Sequence, residues 1–412
     1  MNKYFKVTDK VYDITEKYPE TIDIFAANGF EQLKNDKMRK LMGKTISLEM
    51  ACKSRRVNLD LFEGKLVDAI EQARTSVDGG KISEINAEDG DIKIDGILPC
   101  PIKLPLQEGF ESWLEKQDFD FTVEYDLRVA SGGVDWIKEK IIDLENEDQL
   151  ADLFMSAGFD LFFDKTLMGK FKAKGVFEDL IDTSNMNKDF KNDEIDLRDP
   201  EGQYSIIGVV PAIFLVNREE LGDRKPPESW ADLFRPEFEG EVSLPVSDFD
   251  LFNAMLLNIY KMYGEDGVRS LGKAFLYNMH PAEMVKSHRK KEKPTITIMP
   301  YFFTKMITGK GPMFPIWPKD GAIISPIFLL TKNSKKEQIK PFVDFFASKE
   351  IGEIFVEKGG LPSTNPQVEN NLKEDQKFMW IGWDYINNHD IGELIRKTEA
   401  LFHEATMEEE GK

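Results

Sequence analysis

The chain has 412 residues, with 54 Lys and Arg against 74 Asp and Glu, a formal net charge of −20 at neutral pH. Hydrophobic residues at 41% and aromatics at 11% exclude a disordered chain, and the length exceeds the roughly 250–300 residues at which a single core stops growing. The acidic balance argues against nucleic acid and polybasic membrane anchoring, and Cys52 and Cys100 alone are too few for a disulfide scaffold or an all-cysteine metal site.

Residues 1–20 are interrupted by charges and contain no apolar run of the ~7–15 residues that a signal peptide needs. The longest nearly apolar stretch, Ile206 to Val216, is shorter than the ~20 residues of a membrane helix. The expectation is a soluble, cytoplasmic protein with no membrane insertion.

Residues 1–75 read as a small helical domain. Tyr18, Ile22 and Phe25 form a helical stripe, Pro19 suits a first turn, and Asn28-Gly29 is a stop. Ser47 caps a helix through Cys52, and Asn58 caps another through Leu59, Phe62, Leu66 and Ile70. Residues 1–80 hold 14 basic and 13 acidic side chains, so the balance there is +1 and the remaining 332 residues carry −21. The polar, glycine-containing stretch 76–90 reads as a linker.

From residue 91 strands alternate with helix-length segments. A strand over 92–98 ends at Pro99-Cys100-Pro101; a helix follows with Leu106, Phe110, Trp113 and Leu114 on one face. Phe119 to Asp126 alternates with period two and leads to Ser131-Gly132-Gly133, and Ala151 to Met155 stops at Ser156-Ala157-Gly158. This order predicts a parallel α/β sheet with ligands received at the carboxyl ends of strands. The run 206–216 is long enough to cross between two lobes. Glu228-Ser229-Trp230 caps a short helix, 241–245 is a strand ending at Ser247-Asp248, and Asp250 to Tyr260 is a helix.

No Walker loop, GxGxxG, HExxH or GxSxG occurs, and His280, His288, His389 and His403 are too scattered for a multi-histidine metal site. Cys100 reads as a small side chain at a strand end rather than a nucleophile. The Ser/Gly strand ends Ser131-Gly132-Gly133, Ser156 with Gly158, and Ser247-Asp248 can offer backbone N–H groups to an oxygen-rich ligand. Tyr301 stands at a strand-to-helix junction and Trp317 in a turn-rich segment; these aromatics wall a pocket or belong to the core. The basic run 286–293 reads as a solvated patch.

Ser229-Trp230-Ala231-Asp232-Leu233-Phe234, Trp317-Pro318-Lys319-Asp320-Gly321-Ala322 with Ser325-Pro326, residues 342–350 and Gly359-Gly360-Leu361-Pro362-Ser363 together resemble the type II periplasmic solute-binding proteins, in the ferric-iron/extracellular solute-binding branch. The resemblance covers about 91–410. It implies an α/β fold of two hinged lobes, lobe I from 91–203 plus 326–370 and lobe II from 204–325 plus 371–412 with C-terminal helices. It further implies non-catalytic ligand binding in the interlobe cleft, with no cofactor. The ligand-binding residues expected there are Cys100, Ser131, Gly132, Gly133, Ser156, Gly158, Ser247, Asp248, Tyr301 and Trp317.

The iron binders of that branch use two adjacent tyrosines, whereas this chain reads Tyr301-Phe302-Phe303. The expected solute is therefore an oxygen-rich or anionic organic molecule, held for sensing, delivery or transport. The alternatives are a ferric-iron transport component, a partner-binding scaffold, and a lyase or transferase on the same fold, which would need a paired acid and base in the cleft.

Residues 14–30 and 46–51 resemble the small helical domain at the start of di-iron cluster-repair proteins. Phe30-Glu31-Gln32-Leu33 follows Gly29 where many members place a cysteine pair, so no thiolate role is carried over. Residues 1–75 are expected to bind a protein partner or dimerise.

Overall fold

The computed structural model describes residues 4–19, 21–26, 30–55, 59, 62–63, 66–67, 70, 90–129, 135–182, 185–192, 195–246, 249–279, 281–307, 309 and 311–410. They fall into two units, Met1–Glu84 and Ile85–Lys412. The linker expected over 76–90 lies almost wholly outside the described residues, as does much of the helix expected from Asn58.

In the first unit, α1 (Val11–Lys17) buries Val11, Ile14 and Thr15, an i, i+3, i+4 stripe, and the Thr15 hydroxyl donates back to the Val11 carbonyl at 2.8 Å. Pro19 divides the predicted stripe rather than opening a continuous helix, and α2 (Thr21–Phe25) begins after it. A short α3 (Asp36–Met38) runs into a π turn over Arg39–Gly43, and α4 (Leu48–Arg55) starts where Ser47 Oγ accepts from the Met50 N–H at 3.3 Å. Phe25, Phe30 and Phe62 fill the core, Phe25 and Phe62 meeting edge to face at 5.2 Å. Cys52 is buried there, and burial pushes its thiol pKa up, away from the reactive thiolate.

The second unit is built on a ten-stranded sheet. Its first half comprises β1 (Ile92–Leu98), α5 (Lys103–Leu114), β2 (Val123–Val129), α6 (Asp135–Ile142), β3 (Leu153–Ala157), α7 (Phe159–Phe163) and α8 (Gly169–Lys172). The chain then crosses through β4 (Tyr204–Asn217) into α9 (Arg218–Leu221), β5 (Val242–Leu244), α10 (Phe249–Ala274), β6 (Phe275–Asn278), α11 (Pro281–Met284), β7 (Ile296–Pro300) and β8 (Met313–Ile316). It returns through β9 (Ala322–Thr331) to α12 (Lys336–Phe346) and α13 (Lys349–Ile354), then β10 (Phe378–Met379), α14 (Trp383–Asn388) and α15 (Ile391–Glu410).

The sheet order is β2-β1-β3-β9-β4-β7-β5-β6, with β10 on β9 and β8 on β4. The expectation of an all-parallel sheet needs correction. β1 pairs parallel with β2 and β3, and β5 with β6 and β7, but β9 runs antiparallel to β3 and β4 antiparallel to β7 and β8. The reason is topological: β4 and β9 each leave one half and enter the other, so each meets its new neighbours from the opposite direction. Two strand boundaries also move. Phe119 and Phe121, read as the start of a strand, instead stack at 4.7 Å ahead of β2 and pack on Phe342 of α12, because aromatic burial outweighs the local alternation. The third strand begins at Leu153 and takes in Ser156.

The predicted helix at 250–260 extends to Ala274, bent at Gly264, whose φ of +65° is a left-handed conformation that glycine adopts without steric cost. It packs along α15, with Phe252 and Phe402 edge to face at 5.1 Å. Gly272 permits this closeness: a Cβ there would meet Ala405 Cβ and the Phe402 carbonyl at 2.7 Å.

Candidate functional site

The register of the crossing strands places the candidate cleft. β3 ends at Ala157, opposite Ile327, which itself lies opposite Gly208; β7 ends at Pro300, opposite Ala212. The carboxyl ends of a strand from each half therefore face one another across Gly208 to Ala212, about 13 Å of extended chain. Val210 is the one residue of β4 that is not fully buried, so solvent reaches the crossing strands at their midpoint. Facing it in register is Ser325, buried, with a hydroxyl that has no partner among the described residues. Asn253, in the first turns of α10, likewise buries a side-chain oxygen without a partner. Neither stood among the expected site residues. The Ser325-Pro326 break inside an apolar strand was the only sequence signal for the first, and a polar residue in an apolar helix the only one for the second.

Tyr301 and Trp317 are brought together. β7 ends at Pro300, whose ring sets φ to −58°, and the chain turns into a 3-10 helix over Tyr301–Met306. The Tyr301 ring meets Trp317 edge to face at 5.2 Å; Trp317 meets Phe378 at 5.7 Å, and Phe378 stacks on Phe190 at 5.0 Å. The indole N–H of Trp317 donates to the Lys377 carbonyl at 2.7 Å, which fixes its plane. Phe302 and Phe303 follow, ring against ring at 4.3 Å, and offer no donor atom.

The remaining expected site residues divide. Ser156 is buried within β3 and its hydroxyl donates to the Ala157 carbonyl at 2.7 Å. Gly158 precedes α7 with φ of +133°, a conformation that favours glycine. Cys100 opens the 3-10 turn Cys100–Ile102 directly after β1, while its side chain lies outside the described residues. Ser131, Gly132, Gly133, Ser247 and Asp248 also lie outside them. The basic run is mostly exposed and partly paired, Lys290 with Glu283 at 2.6 Å and Lys293 with Glu220 at 3.6 Å. Among the described residues no group of three or more His, Cys, Asp or Glu is placed to hold a metal ion, and no helix is long and apolar enough to cross a membrane.

The motifs behind the family resemblance have a structural task. The Trp230 backbone N–H donates to Asp320 at 3.0 Å and its indole N–H to the Gly321 carbonyl at 2.9 Å, while Lys319 N–H donates to the Glu228 carbonyl at 2.7 Å. Ser229 and Asp232 complete a reciprocal helix cap. These two segments knot the second half of the sheet together.

A two-lobed α/β unit with its cleft at opposed strand ends is the architecture of a solute-binding protein. Residues 148–389 match the family described as bacterial extracellular solute-binding protein, and the chain belongs to that family. Residues 6–62 match a domain of unknown function (DUF1858), in keeping with the small helical domain. No curated protein matches the chain. Solved structures share the fold at low identity. The periplasmic binding protein AfuA from Actinobacillus pleuropneumoniae, with exogenous fructose-6-phosphate bound, is 18% identical with a TM-score of 0.56 over 77% of this chain and 99% of that one. The ferric binding protein from Campylobacter jejuni is 17% identical, TM-score 0.56, over 76% and 99%. The substrate binding protein of an ABC transporter from Agrobacterium tumefaciens is 15% identical, TM-score 0.53, over 80% and 100%. The cytoplasmic expectation is overturned by the family, which is extracellular by description.

Proposed function

We propose that the second unit binds, without catalysis, an anionic, oxygen-rich organic solute between a lobe I of 91–203 plus 326–370 and a lobe II of 204–325 plus 371–412, for uptake or sensing. The observation that carries this reading is the donor set at the end of β7. A single phenol, Tyr301, is followed by two phenylalanines and walled by Trp317. Ferric iron needs several hard anionic oxygens, and Phe302 and Phe303 supply none. An organic anion can instead stack on the aromatic pair and meet hydroxyl and N–H donors. The phosphorylated sugar in AfuA is a solute of this class on the same fold. The binding role needs no general acid or base.

The test is native mass spectrometry of freshly purified protein, followed by thermal unfolding with sugar phosphates, inorganic phosphate and ferric citrate. A member of the first group at 100 times its Kd should add about 2.7 kcal/mol of stability. A shift with ferric citrate alone would replace this reading with the iron-binding one.

For residues 1–75 we propose a protein-partner or dimerisation role, supported by Leu41 and Met50, large apolar side chains that are 68% and 55% exposed. Deleting residues 1–80 should leave solute affinity unchanged while altering oligomeric state or partner capture.

A further inference from the structure

Lys305 lies on the 3-10 turn after β7, on the lobe II side of the cleft. Its Nζ donates to the backbone carbonyls of Glu357 at 2.9 Å and Lys358 at 3.5 Å. Those carbonyls belong to the π turn Phe355–Gly359 that ends the helix begun by α13. The turn belongs to the other side, since Gly359 packs on Ile102, just after β1 in lobe I. The ammonium thus caps a helix carboxyl end, where unpaired carbonyls and the helix dipole both favour a cation.

The backbone is shaped for the approach. Gly360 holds φ at +61°, and a Cβ placed there would sit 3.3 Å from Lys305 Cε and 3.4 Å from Phe302 Cα. Any side chain at 360 would be strained and would press on the arriving turn. The lobes therefore touch through protein alone, beside Tyr301, at the cleft itself.

We propose that Lys305 is an interlobe clasp: its ammonium, seated on the carbonyl end of the 355–359 turn, holds lobe II against lobe I and sets the fraction of molecules that are closed before any solute arrives. This rests on the two-lobed binding reading. A solute that binds the closed form gains affinity in proportion to that fraction, so the clasp tunes affinity while contributing no solute contact of its own.

The test uses the full chain, unfolded and refolded to strip solute, with nitroxide labels introduced at exposed Lys116 in lobe I and Glu239 in lobe II. Electron–electron distance measurement should give a dominant short separation in the parent. Lys305→Met, which keeps the stem and loses the donor, should gain a longer population of at least several-fold greater weight. Lys305→Arg, still a donor, should resemble the parent. Identical distributions in parent and Lys305→Met, or a parent already open, would overturn the clasp, as would opening in Lys305→Arg equal to that in Lys305→Met. A thermal shift with sugar phosphate that survives in Lys305→Met would leave the binding reading standing while the clasp fails or holds by the distances alone.

Discussion

Arg396 on α15 places Nη1 2.6 Å from Asp164 Oδ2, at the end of α7. The next residue, Lys397, turns to the opposite side and meets Glu265 at 2.8 Å and the Tyr260 hydroxyl at 2.9 Å on α10. One helix therefore straps both halves of the sheet, and Gly392 gives it room, since a Cβ there would lie 2.4 Å from Asp164 Oδ2. Burial raises the Asp164 pKa, but the Thr166 N–H and hydroxyl and the Arg396 guanidinium more than offset it, leaving the carboxyl below its ordinary value.

A carboxyl with a depressed folded pKa adds stability above its unfolded value near ~3.9 and loses it as pH falls through the folded value. Arg396→Ala should cost about 0.5–1.5 kcal/mol at pH 7, the lower end reflecting an arginine that is largely in water. Urea midpoints of parent and variant should converge as the pH falls through and below that ordinary range; a constant difference would mean that Arg396 acts through packing alone.

Asp152 and Lys332 form a buried pair at 3.2 Å, and Asp152 also meets Lys335 at 3.0 Å and the Lys93 N–H at 2.9 Å, joining β1, β3 and β9. Asp152→Ala leaves the Lys332 ammonium buried without its partner and should cost about 3–5 kcal/mol. Lys335→Ala removes a half-exposed partner and should cost under about 1 kcal/mol. Chemical denaturation of both variants measures the contrast.

Asp320 accepts the Trp230 N–H, yet burial, aided by the nearby Asp232 charge, raises its pKa. A carboxyl raised in the fold favours folding most at low pH, and that contribution fades as pH rises through the folded value. Asp320→Asn keeps an acceptor for Trp230 and removes the buried charge, so it should be neutral or slightly stabilising at pH 7. Trp230→Ala, by contrast, should cost about 3–5 kcal/mol. Melting of the two variants across pH 4–8 checks both signs.

Tyr301→Phe keeps the ring against Trp317 and removes only the phenol oxygen. Loss of one hydrogen bond of about 1–1.5 kcal/mol should weaken the solute roughly tenfold. Trp317→Ala should weaken it further by removing the wall. Calorimetric titration with the solute found by native mass spectrometry measures both, and unchanged affinity in Tyr301→Phe would take Tyr301 out of the site.

Much of the fold was legible because apolar periodicity reports local geometry. The unbroken run of β4 and the proline-bounded end of β7 follow from residue order, whereas the stripe read through Tyr18, Ile22 and Phe25 is divided at Pro19. The parallel reading of the sheet failed because strand direction depends on which half a strand enters, and Ile206 to Val216 carries no trace of that. Ser156 reads, by position, as a source of a strand-end backbone N–H; that its hydroxyl bonds the Ala157 carbonyl is visible only in the structure.

Residue order alone established the family, the two-part division of charge and the phenylalanines standing where iron binders carry a second tyrosine. Tertiary structure decided which distant segments meet: Trp230 with Asp320, Tyr301 with Trp317, Lys305 with the carbonyls before Gly360. The reason is that periodicity encodes the geometry of each element by itself. Contacts between elements depend on how β4 registers against β9 and β7, and that is settled only when the whole sheet packs.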